Sequence, residues 1–403
     1  MSATPALRDQ NEPITETGHA VRDYWLLEPD ISYLNHGAFG ALAKDVHDVA
    51  NNWRILMERQ PSEFIREILR PNLRKTADFL GNYVGAQGED IVFVDNASTA
   101  INAVLRSLVL LPGDEVVTTN HAHETVLRTL EFICERAGAR LHIATIPFPI
   151  EEPDDAVDAI TDRLSPRTRL VVIDHITSLT GLALPLQNIL DECSERAIPT
   201  LVDGAHAPGQ VNLNIEKMGC GWYVGNAHKW LGAPRGSAFL WTQQDLQARV
   251  RPTTISNFIS DGYTAAFDWP GTKDFSSYLS IIAAIEFRAR FGEEKIAEYC
   301  QDLIIKAADY LSTVLDVERG APNNMTGFMT SFAWPGKDKA TLENVNNIRL
   351  ILRNEYQVEV EPKIINGKIW IRICAYIYNE MDDYKKLARA VQDIVSKDLI
   401  SQA

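Results

Sequence analysis

Short apolar runs alternate with segments of helical period along most of the chain. The runs are IVFV (91–94), EVVTT (115–119), LHIAT (141–145), LVVID (170–174), TLVD (200–203), GWYVGN (221–226) and GSAFLW (236–241). Their near-continuous apolar character is the pattern of strands buried on both faces. Between most of them apolar positions return every three or four residues, as at Ala100, Ile101, Val104, Leu105 and Leu108, or at Val126, Leu130, Ile133 and Ala137. Strand, helix, strand repeated this often predicts an α/β architecture, a mainly parallel seven-stranded sheet covered by helices.

The flanking regions read differently. The polar stretch to about Asp23 predicts a loose arm, ISYLNHGAFG (31–40) a short strand with a glycine turn, and a helix follows from about Lys44. The Pro- and Gly-containing region from Arg251 to Asp274 is a candidate junction. From Tyr278 to about Leu315 the pattern is mainly helical; FMTSFAW (328–334), a helix near 340–354, VEVEP (358–362), KIWIRIC (368–374) and a last helix then make a small α/β unit. The expected division is an N-terminal arm over 1–30, a large domain over 31–270, and a small C-terminal domain with a connecting helix over 271–403.

Composition narrows the function classes. The 403 residues are 45% apolar and 23% charged, ordinary for a globular chain with a sizeable core. A formal charge of -15 without a Lys/Arg run argues against nucleic acid or an anionic membrane as partner. The first 20 residues lack a basic start and an apolar h-region, and no stretch nears the roughly 18 apolar residues of a membrane span, so a cytoplasmic protein is expected. Five scattered cysteines without CxxC spacing suggest buried thiols rather than disulfides or zinc.

In an open α/β sheet, ligands collect at the carboxyl ends of the strands. After IVFV comes DNAST (95–99), small and hydroxylated residues opening a helix, read either as a phosphate cradle or as an ordinary N-cap. After EVVTT comes NHAHETV, with His121, His123 and Glu124; a metal could take two of these ligands, but no third cluster has the expected spacing. After LVVID the turn from His175 to Gly181 either touches a ligand or caps the next helix. After TLVD, Asp203 ends a buried strand and His206 follows one turn later. Finally GNAHKWLGAPRG (225–236) puts Lys229 between two core strands, where desolvation lowers an amine's pKa and makes it a nucleophile or base. A Schiff-base lysine and an acid able to pair a pyridinium nitrogen are the recurring partners of pyridoxal phosphate (PLP).

With these residues in place the chain resembles a fold type I PLP enzyme of the class V aminotransferase group, and is most similar to isopenicillin N epimerase-like proteins and related C–S lyases. The resemblance rests on YLNHGAFG (33–40), DNASTAINAVLRSL (95–108), HITSLTGLALP (175–185), VDGAHAPGQ (202–210), NAHKW (226–230), WPGTKD (269–274) and RICAYIYN (372–379). It implies that Lys229 carries the cofactor, Asp203 pairs its ring nitrogen, His123 stacks on the ring with His121 as fallback, and His206 sits near the phenolic oxygen. Ala97, Ser98 and His228 would bind the phosphate, and Thr177 would join the cofactor contacts. Thr272 would reach the phosphate of a neighbouring subunit, which implies a homodimer with shared sites. Arg372 would hold the substrate carboxylate, with Asn35 and His36 lining the entrance. Trp230 is expected to pack.

The reaction expected from this resemblance removes the α-proton of an amino acid and then eliminates a β-substituent, as a C–S lyase does on a cysteine S-conjugate or sulfoxide. Epimerisation is the alternative, transamination a further one. Cysteine desulfuration is disfavoured because the loop-like stretches 319–326 and 335–338 contain no cysteine. A metal-dependent hydrolase built on His121, His123 and Glu124, or a binding protein without turnover, are readings of other classes; no metal is expected.

Overall fold

The computed structural model describes residues 5 and 12–402. Seven strands form the central sheet: β1 (Ile91–Val94), β2 (Glu115–Thr119), β3 (Arg140–Ala144), β4 (Thr168–Asp174), β5 (Thr200–Asp203), β6 (Trp222–Asn226) and β7 (Ala238–Thr242), in the spatial order β1-β7-β6-β5-β4-β2-β3. Only β7 runs against its neighbours; β6-β5-β4-β2-β3 are parallel. The sheet is therefore mainly parallel, as the apolar runs predict.

Alternate side chains of each strand feed separate cores. Val92, Val94, Val116, Leu170, Val172, Leu201 and Val224 pack on one face, against α3 (Ala97–Ser107) and α4 (Glu124–Ala137). Phe93, Val117, Val171, Ile173, Val202 and Tyr223 face the other way, toward α1 (Lys44–Arg59) and α2 (Leu69–Val84). Burying both faces explains why these strands show no polar alternation in sequence.

The C-terminal part has a core of its own, formed by α5 (Glu293–Leu315), α6 (Leu342–Tyr356), α7 (Met381–Ser396) and the antiparallel sheet of β8 (Met329–Ala333), β9 (Glu361–Ile365) and β10 (Lys368–Cys374), ordered β9-β10-β8. Expected as one strand, VEVEP divides: Val358–Glu359 pairs in parallel with Ser32–Tyr33, whereas β9 pairs with β10. That split carries Asn35 and His36 from the N-terminal segment toward β10.

The stretch expected as a loose arm is anchored from Ile14 onward. Ile14, Val21 and Trp25 are buried, and Gly18 N donates to Ile377 O at 2.8 Å. Isolated apolar side chains in a polar run supply this anchoring, too few to register as a periodic pattern. No helix among the described residues is long and apolar enough to cross a membrane. All five cysteines are free and buried.

Candidate active site

Three adjacent parallel strands end in polar residues, Asp174 on β4, Asp203 on β5 and Asn226 on β6, and each is at most 5% exposed. Asp174 and Asp203 are register partners. A chamber of about 60 Å3 lies over these ends and is walled by all three together with Ala97, Ser98, His123, Ser178, His206 and Lys229. It adjoins an outer cavity of about 670 Å3 that shares His123, Ser178 and Lys229 and adds Arg372, Glu361, Lys363 and Phe39.

The turn between β6 and β7 presents Lys229. The backbone N–H groups of Ala227 and His228 both donate to Ser237 O at 3.1 Å, and the carbonyl of Lys229 accepts from Gly232 N at 3.2 Å. From beneath, the buried Arg288 donates to Trp230 O at 2.8 Å and to Gly209 O at 3.0 Å. Gly209 has φ of +87°, and a Cβ there would lie 2.7 Å from the Trp230 backbone, so this glycine permits the close approach of the VDGAHAPG turn to the lysine turn. Lys229 Nζ sits 2.8 Å from His206 Nε2. Desolvation pushes the amine down to about 8, aided by Arg372 and opposed by Asp203, Asp174 and Cys374.

The acids respond to the same burial. Desolvation raises Asp203, partly offset by the N–H of Ala205 at 3.0 Å and by Lys229; it raises Asp174 further, because Asp203 adds its own charge. A cationic ring nitrogen beside Asp203 would offset that penalty and hold the carboxylate ionised. At the other end, Asn96 Oδ1 caps α3 by accepting from Thr99 N at 2.9 Å, and Asn226 Oδ1 accepts from Ala97 N at 2.9 Å. These bonds take up the N–H groups of Ala97 and Thr99, and Ser98 at the helix start faces the chamber as the candidate to hold an anion. Amine, paired carboxyls, helix N-terminus and the imidazole face of His123 form a donor set that fits PLP.

Of the two histidines in NHAHETV, His123 faces both cavities, its Nδ1 accepting from Thr125 N at 3.2 Å. His121 is buried elsewhere, on Thr180 Oγ1 at 2.8 Å and Ile146 O at 3.2 Å. The pair does not converge, and among the described residues no group of three or more His, Cys, Asp or Glu side chains could hold a metal.

Four residues named from the sequence line neither cavity. Thr177 is fully buried, its hydroxyl engaged with Thr180 Oγ1 at 2.6 Å and Leu182 N at 2.8 Å, so it braces the turn while Ser178 meets the cavity. His36 does not line the entrance: it is fully buried, donating from Nε2 to Lys229 O at 3.2 Å and stacked on Tyr376 at 3.8 Å. His228 precedes the lysine with Nδ1 on Ser237 O at 2.7 Å and lines neither cavity. Thr272 lies exposed outside both cavities of this chain.

Arg372, 3% exposed, projects from β10. It donates to Ser178 O and, at 3.0 Å, to Asn35 Oδ1, leaving Nε without a partner. Asn35 is in turn oriented by Glu361 at 3.0 Å, so it positions the arginine. Sequence reasoning missed Asp174, Asn226 and Ser178; the first two carry the signal that picked out Asp203, a polar residue closing an apolar strand.

Burial pushes the His36 imidazole down to about 3, with Arg288 and Arg235 adding to it and the Lys229 carbonyl opposing. Between its ordinary value of 6.5 and about 3, the unfolded chain binds a proton that the folded one does not. Stability from neutral His36 is therefore complete above pH 6.5 and is lost on acidification, at up to about 1.4 kcal/mol per pH unit. Urea unfolding of His36→Asn between pH 7 and pH 5 is expected to show a shallower decline than the parent; equal slopes would contradict the assignment.

Comparisons with known proteins identify relatives of this chain. The chain is 29% identical over 394 residues to isopenicillin N epimerase from Amycolatopsis lactamdurans, covering 93% of this chain and 97% of that protein. It is 27% identical over 399 residues to a probable chloroplastic L-cysteine desulfhydrase of Arabidopsis thaliana, covering 91% and 84%. A cysteine desulfurase from Thermococcus onnurineus superposes with a TM-score of 0.79 at 18% identity, over 96% of this chain and all 100% of the other. The family model for aminotransferase class-V matches residues 67–387, and the chain belongs to that family of PLP-dependent enzymes.

Proposed function

We propose that the protein is a C–S β-lyase acting on a cysteine S-conjugate or sulfoxide, with PLP held at Lys229. The observation that carries the reading is the amine of Lys229, lowered to about 8 by burial and lining both the inner chamber with Asp203 and the outer cavity with Arg372. PLP, when bound, supplies a sink for the electron pair left at the α-carbon. Asp203 holds the ring nitrogen, Ser98 and the start of α3 hold the phosphate, and His123 covers the ring. Arg372 grips the substrate carboxylate, with Asn35 and Ser178 fixing its plane. Lys229 takes the α-proton and returns one to the departing sulfur. With one water the balance is thiol, pyruvate and ammonium from a thioether substrate; a sulfoxide releases a sulfenic acid instead.

Epimerisation is the second reading, favoured by the relative from Amycolatopsis, and needs a proton delivered to the opposite face. The reading extends to a homodimer, in which Thr272 meets the partner's phosphate, and to a cytoplasmic location.

Incubating the PLP-loaded protein in deuterated water with cysteine S-conjugates, sulfoxides and plain amino acids separates the two. Pyruvate with a released thiol or sulfenic acid is the expected result. Deuterium at the α-carbon with racemisation and no fragment would establish the epimerase in its place.

A further inference from the structure

His206 is engaged at both ring nitrogens. Trp230 Nε1 lies 3.3 Å from its Nδ1, and Lys229 Nζ lies 2.8 Å from its Nε2. An indole N–H only donates, so Nδ1 can make the first bond only as acceptor. A neutral imidazole with a bare Nδ1 carries its proton on Nε2. The doubly protonated ring would set two N–H groups against each other at Trp230. It is also opposed by burial and by the facing Lys229, Arg372, His123 and His228, which together hold the imidazole well below its usual range.

Nor can Trp230 turn away. It is fully buried, its ring lies 5.1 Å from that of His36 and 5.8 Å from that of Phe328, and its carbonyl is held by Arg288 and by Tyr376.

We propose that Trp230 is a positioning residue, locking His206 in the tautomer whose proton sits on Nε2 and points into the site at Lys229. A donor facing Nζ needs a lone pair there, which only the neutral amine has. With the opposite tautomer, Nε2 would accept from an ammonium and favour the charged lysine. The indole therefore adds a directional bias toward neutral Lys229, working with Arg372 and against Asp203, Asp174 and Cys374. The same N–H would be available to donate to an anionic oxygen of PLP, were the cofactor bound at the lysine. The inference rests on the proposed role of Lys229 as the working amine, but the tautomer is read independently of turnover.

The test uses the full-length protein labelled with 15N-histidine, with and without PLP, the His206 signals being assigned through His206→Gln. Two-bond 15N–1H spectra are expected to show Nε2 protonated and Nδ1 bare. Trp230→Phe removes the donor; Trp230→3-benzothienylalanine removes it while keeping the bicyclic shape, so that lost packing can be told from a lost bond. In each, an Nδ1-protonated population is expected, with the titration of Lys229 moving up by about one pH unit. That titration is followed on the PLP-free protein, where the amine is uncombined, through the pH dependence of reductive methylation of the Lys229 peptide by mass spectrometry. Nδ1 protonated in the parent, or an unchanged tautomer and titration in the benzothienyl variant, would overturn the inference. Should both shift as expected while Lys229→Ala keeps its turnover, the proposed function fails and the positioning role stands.

Discussion

Replacing Lys229 by alanine is expected to lower turnover at least about 10^4-fold, because under the proposed function one substitution removes both the covalent attachment of the cofactor and the base that moves the α-proton. The variant is expected to fold, since the backbone of the turn is held by Ser237, His36, Arg288 and Gly232 and not by the lysine side chain. It should lose the visible absorption band of the parent while keeping its circular dichroism. Lys229→Arg retains a cation that cannot give up its proton, and is expected to be as inactive as the alanine variant. Turnover within tenfold of the parent, with PLP present, would remove Lys229 from the chemistry.

Arg372→Ala is expected to lower kcat/KM by about 10^2-fold or more, the loss of charge-assisted bonds worth about 3 kcal/mol in all. Because the proposed function has the carboxylate held both before and during proton removal, most of the change should fall on KM. Arg372→Lys restores the charge but not the planar fork, and cannot replace the bonds to Ser178 O and Asn35 together with the substrate, so it should recover little. A substrate analogue without its carboxylate is the control: its slow reaction should be the same in parent and variant. A variant that lost equal rates on both compounds would show that Arg372 supports the fold of the site rather than gripping the substrate.

Most of the large sheet is legible in sequence because burial on both faces leaves uninterrupted apolar runs, and because each run ends where the ligand side begins. Asp203 and Lys229 stand out for the same reason: a charge at the close of a core strand, or between two of them, needs a purpose. His123 and His121 are not separable by that logic. Two residues apart at the end of β2, either could face the cavity, and only the position of Thr180 on a different segment shows which ring is already engaged. His36 and Thr177 show the same dependence on folded contacts, His36 being stacked on Tyr376 and the Thr177 hydroxyl accepting from Leu182 N.

The sequence by itself determined the class of architecture and the strand ends, and it singled out Lys229 and Asp203 as the amine and the acid of the proposed site, because these depend on local runs and on the cost of burying charge. Tertiary structure alone decided the rest. It joined Asp174 to Asp203 in register, carried Asn35 to Arg372 through the pairing of Ser32–Tyr33 with Val358–Glu359, and set the indole of Trp230 against His206. Each of these contacts joins segments brought together by folding, and a hydrogen bond depends on atom positions to a few tenths of an ångström, which no spacing along a single chain specifies.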